Sequence, residues 1–115
     1  HSHIDQFLRI GGIPYLHVNS ASYQWVGGDY KHNSYPEAIH EAHPWISHTC
    51  PSRESLFTTL TFNPDAGTIE VAGRQSQWVG PSPEDLGYPV RGTLDHGQEI
   101  VPAIRPRRIR TPAPP

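Results

Sequence analysis

The sequence predicts an α+β fold that is mostly β, with two β-hairpins, one short helix and long loops. Two pairs of segments with alternating apolar residues flank glycine-containing turns, which is typical of antiparallel hairpins. Between them, one polar segment opens with a helix-capping pattern. The chain also contains 10 glycines and 13 prolines in 115 residues, so a large part of it should be loop.

The first predicted hairpin consists of residues 6–10 and 13–18. Gly11 and Gly12 separate the two segments and can adopt the positive φ angles that a two-residue turn needs. Pro14 cannot donate a ladder hydrogen bond, so it should lie at a strand start or in an edge strand. Residues 19–33, which are polar and carry three aromatic rings, are expected to form a long loop packed by its own rings.

The predicted helix follows this loop. Ser34 and Glu37 have the spacing of a capping box, with Ser34 as the N-cap and Glu37 reaching back. The helix should run to about His43 and end at Pro44, because proline is incompatible with a helix interior.

The second hairpin is predicted from residues 56–62 and 68–72. In the first segment Leu56, Leu60 and Phe62 should share one face. Residues 63–67, Asn-Pro-Asp-Ala-Gly, form a strong turn signal. In the second segment Ile69 and Val71 should point inward. Residues 82–87 then fit one short helical turn.

Two regions are expected from this pattern: residues 1–87 and a Pro/Arg-rich extended tail over residues 88–115. From residue 103 onward the chain carries four arginines, four prolines and no acidic residue. Such a basic segment is typical of a solvated terminus, although contact with a phosphate or a partner remains an alternative.

Composition limits the function classes. The net charge is −2 and the hydrophobic fraction is 35%, so nothing favours nucleic acid as a specific partner. No apolar run approaches the roughly 20 residues of a membrane span. Cys50 is the only cysteine, which excludes an internal disulfide. Eight histidines are the one compositional indication of metal chemistry.

The first candidate site is the motif His1-Ser2-His3. In an extended segment alternate side chains share a face, so His1 and His3 can converge on one metal or on a metal pair, with Asp5 on the same side. From the spacing alone, a ligand pair, tag residues and surface histidines all remain open.

Three other arrangements were considered as carriers of chemistry. His40 and His43 are three residues apart, whereas the zinc-protease helix needs a spacing of four, so surface or interface histidines are favoured. Cys50 lies in a turn with nothing to mark it as a nucleophile, which favours a buried structural residue. Residues 74–80 form a polar and aromatic loop for which packing of Trp78 on the sheet is favoured over substrate contact.

The order of the motifs resembles the C-terminal part of calcineurin-like metallophosphoesterases. In that family the last metal motif, Gly-His-x-His, is followed by a strand ending in an Asn-x-x-Ser-like turn and then by a closing hairpin. Residues 13–20, Ile-Pro-Tyr-Leu-His-Val-Asn-Ser, and residues 73–80, Gly-Arg-Gln-Ser-Gln-Trp-Val-Gly, are similar to segments in one group of these proteins. The resemblance covers residues 1–87. The metallo-β-lactamase superfamily is a weaker match, because its third histidine directly follows the aspartate and Gln6 stands there in this chain.

The resemblance implies a hydrolase that cleaves phosphoesters at two divalent or trivalent metal ions, zinc, iron or manganese. His1 and His3 would each bind one ion, and the chain would be the C-terminal piece of an αββα sandwich. The family's earlier motifs, Asp-x-His, Gly-Asp-x-x-Asp and Gly-Asn-His-Asp/Glu, do not occur in this sequence. We therefore expect a fragment that is inactive alone and whose partner is the missing N-terminal part of the same domain.

A fragment of this kind should expose an apolar edge formed by Leu8, Ile10, Leu16 and Val18. The alternative is a small free-standing β-rich binding module that binds metal adventitiously through exposed histidines. Burial of those four side chains in a closed core would favour this second interpretation.

Overall fold

The structure is a computed structural model that describes residues 3–90 and 100–112, and it is mostly β with one short α-helix. The helix α1 spans Glu37–Ala42, and two 3-10 turns span Gly28–Tyr30 and Pro44–His48. The strands are β1 Gln6–Ile10, β2 Ile13–His17, β3 Tyr23–Trp25, β4 Thr49–Pro51, β5 Leu60–Asn63, β6 Thr68–Val71, β7 Arg74–Gln75, β8 Ala103–Ile104 and β9 Arg107–Arg110.

The strands form small antiparallel sheets rather than one large sheet. Three sheets are two-stranded and pair β1 with β2, β3 with β4, and β7 with β8. The fourth has the order β5-β6-β9. Its central strand β6 places Ile69 opposite both Phe62 of β5 and Ile109 of β9.

The first predicted hairpin is confirmed. β1 and β2 pair in register from Gln6 opposite His17 to Ile10 opposite Ile13. Gly11 and Gly12 have φ angles of 57° and 79°, the left-handed conformation that the turn requires.

One face of this hairpin is buried and the other is exposed. Phe7 lies opposite Leu16, and both pack against the core. The opposite face carries Ile10, Ile13 and Tyr15, which are all exposed. The predicted apolar edge is therefore present in part, because Ile10 and the nearby Val18 are exposed whereas Leu16 faces inward.

The second hairpin forms with a later start than predicted. Its turn is confirmed by the positive φ of Gly67 and by the Ala66 N–H, which donates to Asn63 Oδ1 over 3.1 Å. The prediction of one shared face for Leu56, Leu60 and Phe62 is wrong. The N–H of Leu56 donates to the Ala21 carbonyl, so Leu56 is not part of β5, and its side chain is buried in the core.

The hydrophobic core joins distant parts of the chain. Its buried members are Leu56, Val71, Ile104 and Ile109. Half of this set comes from the segment that composition suggested was a solvated tail, since β8 pairs with β7 and β9 with β6. A further close contact joins Gly73 to Pro106, whose Cδ lies 2.8 Å from where a Cβ on Gly73 would stand.

The helix ends near Pro44 as predicted, but its start differs from the predicted capping box. Pro36 precedes the first turn, and no side chain caps it. The N–H groups of Ser34 and Tyr35 instead donate to Nε2 of His40, over 3.1 and 2.9 Å. His40 is consequently buried, so the prediction of a surface histidine is wrong at this position, whereas His43 is exposed.

The predicted loop over residues 19–33 contains β3 and a 3-10 turn, because β3 pairs with β4 and so gains a ladder of backbone hydrogen bonds. At residues 82–87 a single turn forms and ends at Gly87, which has a positive φ. None of the helices in residues 3–90 and 100–112 has the length and apolar character needed to cross a bilayer.

Candidate functional site

His3 is the predicted metal ligand that the structure describes, and His1 lies outside the described residues. His3 lies three residues before the start of β1, is half-buried and has a φ of 55°. Its ring lies against Tyr23 of β3, with 5.3 Å between the ring centroids. The start of the chain is thereby held against the sheet formed by β3 and β4.

The hydrogen bond of His3 determines its tautomer. Nδ1 lies 3.0 Å from the Tyr23 carbonyl oxygen, which can only accept. Nδ1 therefore carries the hydrogen, and Nε2 keeps the lone pair. Histidines that bind metals usually donate their second ring N–H to a carbonyl or carboxylate, and the hydrogen bond of His3 to Tyr23 is of this type.

A small cleft of about 10 Å³ lies beside His3, lined also by Asn19, Tyr23 and Gln24. Asn19 and Gln24 are only 7% and 6% exposed. The Asn19 amide donates to the Val101 and Ala103 carbonyls over 3.1 and 3.0 Å.

The side-chain oxygens of both amides, Asn19 Oδ1 and Gln24 Oε1, have no hydrogen-bond partner in the part of the chain that the structure describes. A buried acceptor without a donor is costly and calls for an explanation. These two residues were not predicted as site residues. Asn19 had been interpreted only as part of a strand-ending turn, and the tail carbonyls that orient it have no sequence signature.

Asp5 cannot supplement His3 as a metal ligand. Its carboxylate is fully buried and accepts two hydrogen bonds from the Arg107 guanidinium, over 2.7 and 3.0 Å. The Arg105 N–H donates a third over 3.2 Å. Asp5 therefore fastens the N-terminal segment to β9.

The described residues do not assemble a complete set of metal ligands. No group of three His, Cys, Asp or Glu side chains within residues 3–90 and 100–112 is placed to hold a metal ion. Among these residues His3 offers a single ring nitrogen, Nε2, that is not taken by its hydrogen bond to the Tyr23 carbonyl.

The remaining arrangements have structural roles. His40 accepts two backbone N–H groups at Nε2, and its Nδ1 lies 2.8 Å from the Ser47 hydroxyl, so both nitrogens hold the approach to α1. In the loop over residues 74–80 the guanidinium of Arg74 covers the ring of Phe57 at 4.1 Å. Trp78 forms a β-bridge with Ser52.

Cys50 is fully buried, as predicted for a structural residue. Burial, and to a smaller extent the charge of Asp85, raise the pKa of its thiol from 9.0 to about 11. The thiolate is the reactive form of cysteine, so this environment suppresses nucleophilic chemistry.

We expect the Cys50 thiol to react with a disulfide reagent such as DTNB only after denaturation. The folded state favours the protonated thiol, so its contribution to stability is complete below pH 9 and is lost as the pH rises towards about 11. Thermal unfolding across this range, compared between the native chain and Cys50→Ala, measures that contribution. A native thiol that reacts as fast as the denatured one would contradict the burial.

Comparisons with protein-family models, with curated proteins and with solved structures found no match to this chain.

Proposed function

We propose that the chain is the C-terminal part of a calcineurin-like metallophosphoesterase and completes an αββα sandwich formed with other segments of the same domain. The observation that carries the proposal is the hydrogen bond from His3 Nδ1 to the Tyr23 carbonyl, which leaves Nε2 as the metal-binding atom. The order of motifs in residues 1–87 supports it independently.

In this proposal His1 and His3 each bind one ion of a pair of zinc, iron or manganese ions. Such a pair, when bound, activates water for attack on the phosphorus atom of a phosphoester. The role of this chain is to present the imidazoles in one tautomer and at a fixed angle. The Tyr23 carbonyl does this for His3, because β3 is anchored by its pairing with β4.

The outer face of the first hairpin also supports the proposal. Ile10, Ile13 and Tyr15 are exposed side by side on a two-stranded sheet. Contiguous apolar surface of this kind usually contacts another part of a protein. In the sandwich it is the face against which further strands of the domain pack.

The test compares metal binding by the native chain with that of His3→Gln, using calorimetry with Zn²⁺ or Mn²⁺. Residues that only hydrogen-bond to a metal ligand change metal affinity by about 10–100-fold, so loss of the ligand itself should weaken binding by at least about tenfold. His43→Gln is the matched control, because His43 is exposed at the end of α1. Equal binding by His3→Gln and the native chain would contradict the proposal.

Two further measurements separate the proposal from a free-standing binding module. We expect the chain alone not to hydrolyse p-nitrophenyl phosphate with added metal, since it supplies few ligands. Substantial turnover by the chain alone would contradict the proposal that its metal site is incomplete. We also expect the gene to encode Asp-x-His and Gly-Asn-His-Asp/Glu motifs upstream of His1, and their absence there would favour the binding module.

A further inference from the structure

Three aromatic rings beside His3 have no role in the proposed metal site. Trp25 of β3 stacks on His48 with 5.5 Å between centroids and 10° between planes. Trp45 contacts both, at 6.3 Å from Trp25 and 5.2 Å from His48. We call Trp25, Trp45 and His48, together with the adjoining Tyr23, the aromatic shelf.

The backbone holds the aromatic shelf in a fixed shape. β3 pairs with β4 so that Trp25 lies opposite Thr49. The N–H groups of Val26 and Gly27 both donate to the His48 carbonyl, over 2.9 and 3.1 Å. The rings are thus set before any ligand arrives, which lowers the entropic cost of binding.

The shelf is open to a ligand. Trp45 is 71% exposed, and Tyr23 and Trp25 are also exposed. A shallow cavity of about 160 Å³ is lined by Tyr23, Trp25, Trp45, Ile46 and Thr49. Isolated exposed aromatics are common, but three around one preformed cavity offer a surface on which a single flat ring can stack.

The lining selects for the face of an aromatic ring. It is mostly apolar, and the Thr49 hydroxyl is already used, because it donates to the Ile46 carbonyl over 2.7 Å. A sugar would bring many hydroxyl groups to a surface with few partners for them. Stacking on indole rings is instead favourable for any flat aromatic group.

The shelf continues directly into the His3 site. Tyr23 lines both the cavity of the shelf and the cleft beside His3, and its ring contacts the imidazole of His3. We propose that the aromatic shelf binds the aromatic ring of a phosphoester's leaving group, an aryl group or a nucleobase, while the phosphate lies towards His3. The assignment of this ring to a substrate rests on the proposed function, whereas the ring-binding site itself does not.

The test measures ring binding without phosphate and without metal. Adenosine and 4-nitrophenol are titrated separately into the chain while the indole N–H signals of its three tryptophans are followed by NMR. We expect the signals of Trp25 and Trp45 to shift and that of Trp78 to stay. Trp45→Ala should weaken binding by about tenfold, as stacking contributes in other ring-binding proteins. Phe62→Ala is the matched control, because this exposed ring lies on β5.

The outcomes are distinct for the two proposals. A shift with 4-nitrophenol alone identifies aryl esters, and a shift with adenosine alone identifies nucleotides. If neither compound shifts the signals, the aromatic shelf does not bind aromatic rings and the proposal is wrong, even if His3 binds zinc. An equal shift with methyl glucopyranoside would contradict it as well. Ring binding together with unchanged metal affinity in His3→Gln retains the shelf and overturns the phosphoesterase assignment. Because Trp45 is largely exposed, Trp45→Ala should unfold at the same temperature as the native chain. A thermal melt of the Trp45→Ala sample used for the titration verifies this.

Discussion

Replacing Arg107 with alanine should lower the free energy of unfolding by about 3–5 kcal/mol, because the buried Asp5 carboxylate loses the two hydrogen bonds of its closest ion pair. The carboxylate is fully buried, and the Arg107 side chain is only 16% exposed. The Arg105 guanidinium stays 3.8 Å from the Asp5 carboxylate, but its side chain is 38% exposed. Neither this contact nor the Arg105 N–H replaces the two hydrogen bonds that Arg107 donates. Chemical denaturation followed by circular dichroism measures the change.

Arg108→Ala is the matched control for this prediction. Arg108 is the next residue of β9 and pairs with Glu70, but its side chain is 73% exposed. Exposed pairs contribute about 0–1 kcal/mol, so this variant should unfold almost like the native chain. The double variant Asp5→Leu/Arg107→Leu should recover much of the loss, since it removes the unpaired charge. Equal effects of Arg107→Ala and Arg108→Ala would contradict the buried pair.

A chain that ends at Gly87 should not fold cooperatively, although the sequence motifs place the resemblance within residues 1–87. The truncation removes Ile104 and Ile109, which are half of the buried core cluster. Truncating one such side chain to alanine typically costs about 2–5 kcal/mol, and small domains have only about 5–15 kcal/mol in total. Loss of two isoleucines together with Arg107 exceeds what such a domain tolerates.

The control is a chain that ends at Pro112. It keeps β8, β9 and the hydrogen bond from the Thr111 N–H to the Gly67 carbonyl. This shorter truncation should show a sigmoidal thermal transition close to that of the full chain. A cooperative transition in the chain ending at Gly87 would restore the division into a domain over residues 1–87 and a separate tail.

The two hairpin turns were predictable because their signals are local. Gly11-Gly12 and the Asn-Pro-Asp-Ala-Gly turn each determine their own backbone conformation through residues within the turn. The helix start was predicted less well. Ser34 has the identity of a capping residue, but its N–H is bound by His40, a contact that exists only once the segment has folded back.

The tail could not be predicted from its composition. From residue 103 onward its arginines and prolines are typical of a solvated segment, and Ile104 and Ile109 are the large apolar residues that interrupt that pattern. These two isoleucines are buried because they pack against Val71 and Leu56. Both partners lie more than 30 residues away in sequence, so no local pattern indicates the packing. The ion pair between Asp5 and Arg107 spans 102 residues, so no local pattern announces it.

The candidate site, like the fold, has one part that the sequence predicts and another that it does not. The motif His1-Ser2-His3 was visible as a spacing of side chains, and this is the level at which sequence patterns are informative. The tautomer of His3 depends on the Tyr23 carbonyl, a backbone group that every residue type has. The aromatic shelf was likewise hidden, because Trp45 and His48 come from a different segment than Trp25.

The large sequence separation between Asp5 and Arg107 also determines when the chain can fold during translation. The Asp5 carboxylate is synthesised 102 residues before the guanidinium of Arg107 that neutralises it. Val71 and Leu56 likewise cannot form the core until Ile104 and Ile109 have been synthesised. Contacts that close such long loops form late and slowly. A ribosome that stalls or terminates before residue 104 therefore releases an open chain, which is a client for chaperones and proteases rather than a smaller stable protein.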